Sequence, residues 1–154
     1  MITIRRAKVA DAISLAPRLR SADRDECRAA LGMSPEAVLP LLVQQGNYVW
    51  AGIDENGECF GLFGVDPVKG PGGHLGIVWM VTTDDIFKHR RDLLKLAPKW
   101  LDRLHKVRPL LGNHIDARNT THIRWLRRMG FSFLRTHAEF GVEKRPFHEF
   151  ARLR

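Results

Sequence analysis

An α/β sandwich of α+β layout, built on a mixed sheet, is the architecture this 154-residue chain predicts. Three observations carry it: an apolar meander of three strands in the middle of the chain, a strand-helix-strand unit after it, and amphipathic helical stretches with recognisable starts and stops. The pattern implies about 6–7 strands flanked by about four helices. The length suits one core and falls short of two ordinary ones, so a single domain over residues 1–154 is expected.

From the N-terminus, "ITIRRA" alternates like a strand, and Asp11 can cap a short helix from about Ala12 to Leu19. A charge-rich polar connection follows. "SPEAVLPLLVQQG" then reads as a helix with Ser34 at the N-cap, Pro35 in the first turn, Pro40 distorting the interior and Gly46 past the end. "NYVWAGID" and "ECFGLFGV" form a hairpin around "ENG", where Asn56 and Gly57 can take the positive φ angles of a tight turn. "DPVKGPGG" is a loop by composition, and "HLGIVWMVT" is apolar enough to be a central strand.

A long helix is expected from about Asp85 to Val107, with Phe87, Leu94, Ala97, Leu101 and Leu104 on one side and Pro98 kinking it or opening a second segment. "GNHIDA" is a short strand. The next helix, about Thr120 to Met129, has Asn119 at its N-cap and Gly130 as its left-handed stop. His122, Ile123, Trp125, Leu126 and Met129 share one face, while Arg124, Arg127 and Arg128 share the opposite arc. "FSFLRT" and "PFHEFARL" close the chain as an antiparallel pair around "HAEFGVEKR".

Composition narrows the function classes. Hydrophobic residues make up 44% and charged ones 27%, and no apolar run approaches the roughly 20 residues of a membrane span, which points to a globular protein without a membrane partner. The first residues lack the apolar region of a signal peptide, so a cytoplasmic location is expected. Cys27 and Cys59 are too far apart in sequence to suggest a thiolate metal site, and reduced, largely buried thiols are expected. The net charge of +8 is uneven: residues 1–85 hold 8 Lys/Arg against 11 Asp/Glu, and residues 86–154 hold 17 against 6. The basic half favours an anionic partner, whether DNA, an acidic protein surface or cofactor phosphates.

The element order, with Asn119 and with Gly130-Phe131 after the helix, resembles the GNAT superfamily of acyl-CoA-dependent N-acetyltransferases across essentially the whole chain. Within it, "WMVTTD", the basic helix that follows, Asn113, "NTTHIRWLRRMGF" and "FHEF" resemble a GNAT-like internal virion or assembly protein of short-tailed bacteriophages. The resemblance implies a GNAT sheet, acetyl-CoA as cofactor, other virion proteins as partners and a place in the host cytoplasm or the virion.

The resemblance also says what the chemistry needs. A GNAT enzyme holds the CoA pyrophosphate on backbone amides at the start of the long helix, where glycines permit close approach. Here "VTTDDIFKHRRDLL" has no glycine and places Asp84 and Asp85 at the helix mouth, where they would repel phosphate. The cofactor contacts that remain are the amides near Ile86, Phe87 and Lys88, the side chains of Lys88, Arg90 and Arg91, and Asn119. The tyrosine that often protonates the departing thiolate, seven residues after the Asn, is replaced by Leu126; the single tyrosine, Tyr48, lies in another strand. His74 is the one candidate base on the fourth strand.

Seven histidines show no HExxH or paired Cys/His spacing, so no metal site is expected, and no GxSxG, P-loop or dinucleotide fingerprint occurs. Trp50, Trp79, Trp100 and Trp125 most simply fill the core. Three functions stand: a phage virion or virion-assembly component with acetyltransferase activity weak or lost; an active acetyl-CoA-dependent N-acetyltransferase; and a nucleic-acid-binding module acting through Arg124, Arg127 and Arg128.

Overall fold

The computed structural model describes residues 1–71 and 73–154; Gly72, in the loop expected from "DPVKGPGG", lies outside them. Seven strands, β1 Thr3–Arg6, β2 Val49–Ile53, β3 Cys59–Pro67, β4 Leu75–Thr82, β5 Leu110–Asp116, β6 Ser132–Phe140 and β7 Arg145–Leu153, form one sheet. Their order across it is β1-β2-β3-β4-β5-β7-β6. All neighbours are antiparallel except β4 and β5, which run parallel and pair only at Leu75 with Leu110, Gly76 with Leu111 and Ile77 with Gly112. Beyond those three positions the two strands part, leaving residues 78–82 and 113–116 on either side of a wedge.

Among the described residues five α-helices cover the sheet: α1 Val9–Leu15, α2 Ser21–Leu31, α3 Pro35–Gln45, α4 Arg90–Val107 and α5 Thr120–Arg128. The period of two along β2 divides its side chains between two cores. Val49, Ala51 and Ile53 join Leu15 of α1 and Val38, Leu39 and Val43 of α3. Trp50 joins Leu101 and Leu104 of α4 and Ile123 and Leu126 of α5, together with Val65, Leu111, Ile115 and Phe150. Each large apolar side chain removed from water in these cores contributes about 1.5–3 kcal/mol. Among the described residues no helix is long and apolar enough to cross a membrane.

Several expectations shift. The charge-rich connection is the helix α2, whose buried residues are Asp23 and Ala29, so apolar periodicity could not mark it. Asp11 sits inside the first turn of α1, accepting the Lys8 N–H at 2.7 Å and pairing with Arg5 at 2.8 Å, and residues 16–18 tighten into a 3-10 turn around Pro17. In the hairpin turn only Gly57 has positive φ, because the Asp54 carboxylate accepts the N–H groups of Asn56 and Glu58 and holds the turn in place. β3 runs on through Asp66 and Pro67, shortening the loop. The long helix starts at Arg90 after a 3-10 turn over Asp84–Phe87 and continues unbroken past Pro98. Its packed side is Leu101, Leu104, Trp100 and Val107, while Phe87 and Leu94 are exposed.

Candidate functional site

A crevice at the carboxyl ends of separating parallel strands is where open α/β sheets bind ligands, because the parted strands offer unpaired backbone groups. Here several of those groups are already engaged, most of them by α2 and the residue that precedes it. At the apex of the wedge the Asn113 side chain donates to the Val78 carbonyl at 2.8 Å. At its mouth the Thr82 N–H donates to Asp23 at 2.9 Å and the Thr82 carbonyl accepts the Arg20 N–H at 3.0 Å. Across the wedge the Asp116 N–H donates to Glu26 at 2.8 Å. At the mouth of the wedge the polar face of α2 therefore takes the place of a β partner for Thr82 and Asp116.

A buried network ties this plug to α5. Asn119 is fully buried at the N-cap position that the sequence predicts for it, yet its side chain does not cap: Nδ2 donates to Asp23 at 2.9 Å and to Glu26 at 3.5 Å, and Oδ1 accepts from Arg20 at 3.3 Å. His122 bridges the Asp23 carboxylate through Nδ1 at 3.3 Å and the Thr82 hydroxyl through Nε2 at 3.3 Å. The neutral tautomer protonated on Nδ1 satisfies both contacts. Asp23, at 1% exposure, thus collects the Thr82 amide, Asn119, His122 and Arg20.

Burial sets the protonation states. Desolvation pushes the Glu26 carboxyl up to about 8, reinforced by the neighbouring Asp23 and Asp116 charges and opposed by its hydrogen bonds from the Asp116 amide and Asn119. One carboxyl oxygen of Glu26 accepts both bonds, leaving the other free to carry the proton. Desolvation lowers the His122 imidazole, against the pull of Asp23. Asp116 is held below the usual carboxylate range despite burial, because Arg118 donates to it from both backbone and guanidinium.

The hairpin joining β6 and β7 locks the plug from outside. The Glu143 N–H donates to the Ala29 carbonyl near the end of α2 at 3.1 Å. Gly141 has φ +72°, and a Cβ built there would lie 2.4 Å from the Ala29 oxygen and 2.8 Å from the Ala30 Cα, so only glycine allows this approach. Val142 packs against Gly32.

The cofactor contacts read from the sequence are brought only partly together. Lys88 is exposed but paired with Asp85 at 2.8 Å, Arg90 and Arg91 are exposed, Phe87 is exposed beneath the Arg20 guanidinium, and Ile86 is buried. The Asp85 N–H donates to the Thr83 hydroxyl, and the Ile86, Lys88 and His89 amides donate to the Thr83, Asp85 and Ile86 carbonyls. A groove of about 130 Å³ beside Lys88 is lined by Asp54, Glu55, Asn56, Asp85, Lys88 and His89, with more acid than base. The residues present therefore do not suit a CoA pyrophosphate. His74 is exposed at the start of β4, at the closed end of the wedge and roughly 25 Å of strand from Thr82. Leu126, in place of the acid, is buried in the core.

Arg124, Arg127 and Arg128 lie exposed along the outer arc of α5, as their spacing predicts. Arg127 sits 5.0 Å over the Phe133 ring, at the edge of a groove of about 240 Å³ lined with Leu134, Arg135, Thr136 and His148. Sequence reasoning missed Arg20, Asp23, Glu26 and Thr82 altogether.

The fold is that of GNAT acetyltransferases. An acetyltransferase of the GNAT family from Streptococcus pneumoniae superposes with a TM-score of 0.70 at 14% identity, covering 99% of each chain. A GCN5-related N-acetyltransferase from Kribbella flavida gives 0.70 at 18%, covering 99% of this chain and 98% of its own. The yncA protein of Salmonella typhimurium, solved with its cofactor acetyl-CoA, gives 0.72 at 16%, covering 99% and 94%. No curated protein matches the chain. Residues 62–140 match the model of a family described as "Bacteriophage T7, probable scaffold protein Gp13".

Proposed function

The chain belongs to this probable scaffold protein family of bacteriophage T7, and from that premise we propose that it is a virion-associated or virion-assembly component, its GNAT fold kept as a scaffold and acetyl transfer weak or lost. The observation that carries the second half is the plug: Asp23 and Glu26 of α2 occupy the Thr82 and Asp116 amides inside the β4–β5 wedge. A cofactor arm entering there would have to displace a buried, hydrogen-bonded network, and the cost of stranding such groups is several kcal/mol. Support also comes from the engaged amides of the 3-10 turn before α4 and from Leu126 at the place of the family's acid.

Calorimetric titration with acetyl-CoA and CoA, at low and physiological salt, tests this reading. The expected result is no binding at millimolar ligand and no rise in Tm, since a ligand that binds the native state must stabilise it. Micromolar binding that survives salt, or acetyl transfer to an amine at ordinary enzymatic turnover, would overturn it. The scaffold half predicts that the protein co-sediments with other virion proteins of the same phage; failure to do so during assembly would remove it.

The exposed arginines of α5 beside Phe133 and the 240 Å³ groove favour one second reading, an anionic partner such as DNA. Affinity for DNA should then fall steeply with salt, and a flat response excludes it.

A further inference from the structure

The insertion of β7 between β5 and β6 places three side chains from distant parts of the chain on one face of adjacent strands. His114 of β5 is the register partner of Glu149 of β7, and His137 of β6 reaches the same carboxylate, Nε2 to Oε2, at 3.1 Å. One nitrogen from each imidazole and one oxygen from Glu149 lie within 4.8 Å of one another. All three residues are half-buried, close enough to the surface for an ion to enter.

We propose that His114, His137 and Glu149 form a binding site for a divalent transition-metal ion of the zinc class, three protein ligands with a fourth position open to solvent or to a partner's side chain. The chemistry of the donors suits such an ion: two imidazole nitrogens and one carboxylate are a recurrent three-ligand set for zinc, with bonds of about 2.0–2.2 Å and so neighbouring donors roughly 3.3 Å apart in a tetrahedron. The His137–Glu149 pair is already at that spacing, and closing the rest needs the donor atoms to move by up to about 1.5 Å, within reach of side-chain rotation.

The backbone supplies the rigidity, since each ligand is anchored in a hydrogen-bonded strand of the same sheet. The imidazole of His114 is stacked on Phe140 at 4.6 Å and stands edge-on to His137 at 4.8 Å, and among the described residues no side-chain hydrogen bond engages it. Burial, followed by the nearby His137, lowers His114, while Arg135 and then His137 hold Glu149 below its ordinary range. Among the described residues Arg135 is the competing partner: its guanidinium donates to the same Glu149 oxygen at 2.8 Å, but it is largely exposed and free to swing away. A bound ion would clip the outer strand β6 to the sheet interior, and this role does not depend on the scaffold reading.

Untagged full-length protein is titrated with Zn²⁺ by calorimetry and with Co²⁺ by visible absorption, which reports coordination geometry. One ion per chain is expected, with affinity falling by more than about tenfold in H114A, H137A and E149Q, since even outer-shell changes at metal sites cost 10–100-fold. R135A should bind as tightly or more tightly. H148A, on the opposite face and bonded to Thr136, should bind like the wild type. Circular dichroism identifies any variant that is unfolded, and E149Q, the mildest change, then decides. No uptake by the wild type, or uptake that E149Q and the histidine variants leave unchanged, overturns the proposal.

Discussion

Replacing Glu26 with glutamine isolates the protonation of the plug. A carboxyl pushed up to about 8 from an ordinary 4.5 takes up a proton on folding at every pH between those values. The sign follows from linkage: a raised folded pKa gives stability that is complete below 4.5 and is lost as pH rises through about 8. Each pH unit in that window costs about 1.4 kcal/mol, so the Glu26 contribution should shrink by roughly 3–4 kcal/mol between pH 5 and pH 8. Glutamine carries an amide where the neutral acid stands and cannot ionise. Its carbonyl can still accept from the Asp116 amide. The stability of E26Q relative to wild type, from urea denaturation at several pH values, should therefore rise by about that amount across the window. Parallel curves for the two proteins, within about 0.5 kcal/mol, would mean that Glu26 is ionised and hydrated. The plug would then not be seated in the wedge as described.

Three further changes probe the same region. Asp23→Ala strands the Thr82 amide, Asn119, His122 and the Arg20 guanidinium together and should cost about 3–5 kcal/mol in urea denaturation, with Asp23→Asn costing less; a loss under about 1 kcal/mol would refute the network. Leu126→Tyr, which inserts the family's acid, should cost about 1–3 kcal/mol by overpacking the core and yield no acetyl transfer, and measurable transfer would show a working cofactor site. Gly141→Ala should cost at least about 1–2 kcal/mol from its left-handed backbone alone. Amide exchange at Glu143 should speed up as the hairpin tip lifts from Ala29; unchanged exchange would remove the latch.

The parts of the fold legible in the sequence are those whose signals are local. The position of the hairpin at Asn56-Gly57, the meander and the amphipathic α5 with its glycine stop follow from residues a few positions apart, and the structure places them as read, except that only Gly57 takes a positive φ. What escaped is α2, because its inward face is Asp23 and Glu26 where an apolar stripe was sought. A signal was present: acids at 23, 25 and 26, Arg28 near the end and Gly32 beyond it match a helix dipole and its stop. The site itself was less legible still. Asn119 was recognised by position and misassigned in role, since a capping contact is local and its real partners lie 93 to 99 residues away. The His114, His137 and Glu149 cluster depends on β7 entering between β5 and β6, a pairing that no sequence spacing encodes.

The uneven charge of the chain gains a physical reason from this arrangement. The acidic N-terminal half spends Asp23 and Glu26 on closing the wedge and places Asp54, Glu55 and Asp85 around Lys88, so the region that would receive a phosphate-bearing cofactor is the least hospitable to one. Arg124, Arg127 and Arg128 of the basic half instead lie outside that region, exposed along α5, with Arg135 on β6. Cations meant to hold a cofactor would converge on one crevice, as bidentate phosphate contacts require, whereas of these only Arg127 and Arg135 share a groove and Arg124 and Arg128 lie along the helix face. A spread of this kind matches an extended anionic surface, which is what a structural partner in an assembly offers and a single cofactor does not.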